Sequence, residues 1–206
     1  MSYYRENNFY NSIPAVTRNL LIINLVIWFA CLLSQQLEFY FALFNYDSGY
    51  FSAYQLITYM FTHTRFEHLF FNMFALFMFG GVLENYWGQK RYLIYYMVTG
   101  IGAGLVQLLV CHLQGIVYPV PTIGASGAVF GLLLAFGMLF PDTPLFLMFI
   151  PVPIKAKYMV IGYGLIEFFF GVANRTGDNV AHFAHLGGML FGIILILYWK
   201  KRRYIR

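Results

Sequence analysis

The chain has 206 residues, of which 60% are hydrophobic and only 10% charged, with a formal net charge of +5. Soluble domains carry about 25% charged residues, so this composition excludes a soluble globular domain of ordinary surface. The basic residues sit in connecting segments and tails without arginine–aromatic clusters, which excludes nucleic-acid binding as the source of the charge.

In chain order, residues 1–18 are polar and aromatic and read as a cytoplasmic segment, with no cleavable signal peptide visible. The first predicted span is Asn19–Glu38. It contains Cys31, which like Cys111 reads as a small packed hydrophobe and says little about redox compartment. The connection Phe39–Arg65 is rich in Tyr and Phe. Such rings favour the headgroup region, so it is predicted to be a membrane-embedded first loop lying partly in the outer leaflet.

The second span, Phe66–Tyr86, carries His68 and Asn72 four residues apart, hence on one helix face. Glu84, Trp87, Lys90 and Arg91 suit an anchor at its inner end. The third span, Tyr92–Leu113, has Gly100, Gly102 and Gly104 for close packing. The fourth, Gly124–Phe140, is bounded by Pro121 and Pro141 and opens on Gly124-Ala125-Ser126-Gly127.

The fifth span, Tyr158–Ala173, carries Glu167 and the aromatic run Phe168, Phe169 and Phe170. The segment Val172–Val180, with Asn174, Gly177 and Asp178, caps the entry to the sixth span, Val180–Trp199, which carries His182, His185, Gly188 and Gly192. Residues 200–206 form a basic cytoplasmic tail. Each span is near the ~20 residues that cross a bilayer core. The predicted fold is an all-α membrane protein, a six-transmembrane-helix bundle over residues 19–199. There is no fixed-period repeat and no separate soluble domain.

The 13 Lys and Arg residues set the expected topology. Eleven fall on one side of this six-span reading, and only Arg65 and Arg175 on the other. Basic residues favour the cytoplasmic side, so both termini are expected inside. Helices two, four and six then run inward from the outer face. His68, Asn72, Ser126 and His185 come to similar outer depth, with His185 roughly 8 Å below the start of its helix at 1.5 Å per residue.

Those residues suit acyl transfer. A serine at a helix N-terminus stands beside unpaired N–H groups that favour an oxyanion. A neutral imidazole such as His185 is a natural base for a hydroxyl nucleophile, and His68 and Asn72 are both possible oxyanion donors. Offsets of three and seven put His185, Gly188 and Gly192 on one face, which would let the sixth helix approach the Gly127/Gly131 face of the fourth.

Other readings stay open on these residues alone. Gly127-xxx-Gly131 is also a helix-packing motif, His68 and Asn72 also suit an interhelical hydrogen-bond pair, and His182 competes for the base role. Glu167 reads as structural and too deep to orient His185. Five histidines suggest metal, but there is no His-Glu-x-x-His run and no helix pairs histidine with a well-placed carboxylate. No metal and no cofactor are therefore expected. Asp47, Asp142 and Asp178 lie in loops, which disfavours an aspartyl protease, and the spans lack the inverted repeat of a transporter.

Taken together, Tyr59-Met-Phe-Thr-His63, His68-x-x-x-Asn72, Gly80-Gly81 with Glu84, Gly124-Ala-Ser-Gly127, and Ala184-His185-Leu-Gly-Gly188 with Gly192 resemble the rhomboid family of intramembrane serine proteases. The resemblance covers about Asn19 to Trp199. It implies Ser126 as nucleophile and His185 as general base, a dyad without an acidic third member, with His68 and Asn72 holding the oxyanion. It also implies single-pass transmembrane substrates cut near the outer face. Substrate would enter past the fifth helix, with Phe168, Phe169 and His182 at a gate or cavity. The six-span form matches the basic bacterial form of the family, so a bacterial inner membrane is expected. The rival is a non-catalytic scaffold or quality-control protein that binds transmembrane segments.

Overall fold

The computed structural model describes residues 13–147, 150–173 and 181–202. Six apolar helices dominate: α1 Ala15–Leu33, α2 Phe66–Trp87, α3 Gln89–Leu113, α4 Ser126–Leu139, α5 Ala156–Ala173 and α6 His182–Lys201. Five are long and apolar enough to cross a membrane; α4, with 14 residues, is shorter. At 1.5 Å per residue α4 extends roughly 21 Å, less than a bilayer core. The chain is thus a helical, multi-pass membrane protein, with five helices of spanning length and one short apolar helix among the described residues. Much of Phe39–Arg65 lacks long helix, and the expected tail beyond 202, Arg5, and the cap residues 174–180 lie outside the described residues.

Sequence breaks account for the boundaries. Pro14 precedes α1, and the Glu84 carboxylate on α2 accepts the amides of Val16 and Thr17 at 2.9 and 2.7 Å and the Thr17 hydroxyl at 2.8 Å. An acid from another helix thus supplies the N-cap that α1's own sequence lacks. Gly88, at φ +80°, separates α2 from α3, a conformation glycine adopts without strain. A π-helical turn, Leu76–Gly80, interrupts α2.

The short helix α4 is the centre of the bundle. Its residues Gly127, Ala128, Val129 and Gly131 through Gly137 are buried. Helix α6 packs on both α3 and α4. An added Cβ at Gly188 would overlap the Gly127 carbonyl oxygen, so these two backbones touch as the glycine pattern predicted. Gly131 faces Thr99 of α3, not α6. The far end of the bundle is closed by Trp87, Tyr92, Tyr95, Tyr96 and Trp199, all buried.

Two short antiparallel ladders supplement the helices. Strand β1, Leu43–Phe44, pairs with β2, Pro121–Thr122; β3, Pro144–Leu147, pairs with β4, Ile150–Lys155. The first ladder ties the first loop to the segment leading into α4. That loop is two-sided: Leu43, Phe44, Met60 and Phe61 are buried, whereas Phe39, Tyr40, Tyr46, Tyr50 and Tyr54 are exposed.

Candidate active site

The approach to Ser126 is fixed by backbone contacts. Past β2, the Gly124 amide donates to the Tyr59 carbonyl at 2.9 Å, and the Ala125 amide donates to His63 Nε2 at 3.3 Å. Gly124 has φ +112°, and a Cβ there would meet the His68 ring at 2.5 Å. Both facts require glycine, the first because side chains rarely adopt that backbone conformation and the second because His68 fills the space. Helix α4 then begins at Ser126, and its first amides have no partner one turn back.

On α2, Asn72 lies beneath this turn. Its Nδ2 donates to the His68 carbonyl at 2.9 Å and contacts His63 Nε2 at 3.2 Å. The His68 ring packs edge-on against His63, with centroids 5.0 Å apart. His63 Nε2 accepts from Ala125, so its proton belongs on Nδ1. Burial, then the neighbouring His68, pushes the His63 pKa down to about 3, which keeps it neutral. His63 is the residue whose role the sequence reading missed: it joins the Ser126 turn to Asn72. Its signal was its place one turn before the helix that carries His68.

From α6, His185 Nε2 lies 2.7 Å from Ser126 Oγ. The imidazole stacks on Phe130, one turn along α4, with centroids 4.3 Å apart and planes 6° from parallel. His185 and Ser126 are thus held from two helices that meet at Gly127 and Gly188. His182 lies elsewhere: its Nδ1 is 2.7 Å from Glu167 Oε2, and its ring stacks on Phe170.

Glu167 overturns one expectation. Its Oε2 also lies 2.9 Å from His185 Nδ1. This is ion-pair range, though off the line of an N–H···O bond, since Nδ1 has no aligned partner. Counted from the end of α5 at Ala173, six residues place Glu167 roughly 9 Å deep, close to the depth already assigned to His185. The reading of Glu167 as too deep placed it near the middle of its span, whereas it reaches His185. Glu167, His182 and His185 offer three ligand atoms within 4.8 Å of one another. The pairing of histidine and carboxylate comes from two neighbouring helices, which spacing along one helix cannot reveal. As arranged, the carboxylate lies 2.7 and 2.9 Å from the two imidazole nitrogens; a tetrahedral zinc ~2.1 Å from each ligand would hold them roughly 3.4 Å apart.

The other predicted residues divide. Phe168 and Phe169 are 49% and 65% exposed on α5. His63, Asn72 and His185 are buried; Ser126, His68 and His182 are partly exposed. An apolar groove of about 350 Å³ between α4, α5 and α6 is lined by Leu134, Val160, Gly164, Leu186 and Met189.

The chain is also similar to known proteins. A family model described as Rhomboid domain matches residues 50–202. The chain is 34% identical over 147 residues to Rhomboid protein 1, mitochondrial, of Saccharomyces cerevisiae, covering 68% of this chain and 40% of that protein. It is 31% identical over 160 residues to Rhomboid-like protein 11, chloroplastic, of Arabidopsis thaliana, covering 72% and 53%. It is 32% identical over 157 residues to the mouse Presenilin-associated rhomboid-like protein, mitochondrial, covering 69% and 38%. The chain spans about half or less of the length of these relatives.

Proposed function

The chain belongs to the rhomboid family, and on that premise we propose that it is an intramembrane serine endopeptidase working through Ser126 and His185. The observation that carries the proposal is the 2.7 Å contact between His185 Nε2 and Ser126 Oγ at the start of a buried, glycine-packed helix. His185 Nε2 takes the hydroxyl proton as Oγ attacks the scissile carbonyl. The oxyanion is met by the unpaired amides at the start of α4 and by His68 and Asn72. Collapse returns the Nε2 proton to the leaving amine, and water, activated by the same histidine, hydrolyses the acyl-enzyme. Both Asn72 N–H groups face internal acceptors in the resting site, so Asn72 serves the oxyanion by exchanging one of those bonds.

The substrates are single-pass transmembrane proteins in a lipid bilayer, with no nucleic acid, metal or cofactor required. They enter beside α5, past Phe168, Phe169 and His182. Residues 1–18 and 200–206 lie in the cytoplasm on the weight of the basic residues, and the residues between form the catalytic domain. The relatives bear mitochondrial and chloroplastic names. The proposal is therefore tied to the side opposite the basic termini, not to a bacterial inner membrane. Detergent-purified protein treated with a fluorophosphonate probe tests it: a protease labels at Ser126, and Ser126→Ala does not. A wild-type chain that neither labels nor cleaves, while folded, would make it a binding scaffold instead.

A further inference from the structure

Glu167 is only 8% exposed and sits on a membrane-spanning helix. An acid at the centre of such a helix costs about 2.5–3.5 kcal/mol, so it is retained where partners compensate it. Its partners here are the two histidines that begin α6. Oε2 is 2.7 Å from His182 Nδ1 and 2.9 Å from His185 Nδ1, and the other nitrogen of His185 meets Ser126. Side-chain exposures of 12%, 10% and 11% for His182, Glu167 and His185 shield this line from water.

We propose that Glu167 is a positioning residue for His185. The assignment rests on the protease reading above. The carboxylate holds the Nδ1–H tautomer, leaving the Nε2 lone pair directed at the serine hydroxyl. When Oγ attacks, its proton passes to Nε2, and the imidazolium then carries a proton on each nitrogen. Nδ1–H stays on the ring and faces the Glu167 carboxylate, which remains ionised throughout. The Nε2 proton leaves with the amine, restoring the starting tautomer. The present contact is off-line, and catalytic hydrogen bonds are often loose before substrate tightens them. His182 is the second donor that anchors the carboxylate, while Phe130 fixes the plane of the base. The site is therefore a Ser126–His185–Glu167 line rather than a bare dyad.

The test uses the full chain in detergent with a fluorogenic single-pass substrate. In soluble triads, exchanging the orienting acid for its amide lowers kcat by about 10⁴. Here the off-line contact sets the expectation for Glu167→Gln at a fall in kcat of about 10²-fold, with KM within about twofold and Tm unchanged. Glu167→Asp should recover part of that loss, about tenfold over the amide. Independently of turnover, ¹⁵N spectra of histidine-labelled protein should show His185 as Nδ1–H in the wild type and as a tautomer mixture in Glu167→Gln. Wild-type kcat in Glu167→Gln, an unchanged tautomer, or a rate loss matched by a fall in Tm overturns the assignment. A wild type that fails to label at Ser126 sinks the protease reading instead, and the tautomer spectrum still decides the role of Glu167.

Discussion

Ser126 and His185 are tied by one hydrogen bond, yet neither supports much of the fold. Ser126 stands at the surface end of α4, and His185 is packed by a ring stack that a smaller side chain would merely loosen. Ser126→Ala and His185→Ala should therefore each abolish cleavage, with Tm and membrane insertion kept. Residues acting as a unit lose nearly everything singly, so the double variant should be no worse than either alone. His182→Ala should lose less than tenfold, because His182 reaches the reaction only through Glu167. A dead His182→Ala beside an active His185→Ala would reverse the assignment of the base. Asn72 stands between these cases. Asn72→Ala should lower kcat by about 10²-fold, as loss of an oxyanion donor does, with an added loss of Tm from its bonds to the His68 carbonyl and His63.

At the scale of elements, glycines set how far α4 and α6 stand apart. Gly188→Ala would push its methyl into the Gly127 carbonyl, backbone against backbone, where no side chain can yield. The expected result is about 1–3 kcal/mol of destabilisation and a large fall in kcat, since a shift of about 1 Å can cost 10²-fold. Gly162→Ala on α5 is the control. Nothing lies within 4 Å of its Cβ, so alanine should be neutral or gain about 0.5–1 kcal/mol of helix preference. Equal damage from both would remove close packing as the explanation. The cap on α1 makes the same point with charge. Glu84→Ala strands the Val16 and Thr17 amides, and the expected cost of about 2–3 kcal/mol should appear as lower Tm in active protein.

These elements also show what was legible beforehand. The His68–Asn72 spacing and the His185/Gly188/Gly192 face could be read because both arise within one helix, where 3.6 residues per turn fixes neighbours. Glu167 was missed because its partners lie on another helix, and relative depth depends on where each helix starts. Gly131 was assigned to the wrong neighbour for the same reason: its face was right, but Thr99 of α3 occupies the space. The role of His63 in holding Ala125, and the β1–β2 ladder, depend on contacts about 60 to 80 residues apart in sequence. No local pattern encodes such contacts.

At the scale of the whole molecule, the helix N-termini that carry His68, Ser126 and His185 gather at one end, and Asp142, Lys155 and Lys157 at the other. If the basic excess fixes orientation, Ser126 faces away from the cytoplasm and Lys157 faces it. Cysteine accessibility in sealed vesicles or cells measures this directly, in a background without Cys31 and Cys111, both buried. Position 157 is suitable because Lys157 lies at the surface, whereas inner positions of α4 such as Gly137 cannot accept a side chain without displacing Val160. With a membrane-impermeant thiol reagent outside, Ser126→Cys should react and Lys157→Cys should not; permeabilisation should expose Lys157→Cys. Because Ser126 is only partly exposed, its cysteine should react more slowly than one at exposed Tyr46, on the same side. Reaction of position 126 only after permeabilisation would invert the topology, and with it the face on which substrates are cut. It would leave the Ser126–His185 geometry untouched, because the bundle's packing is independent of which way the membrane receives it.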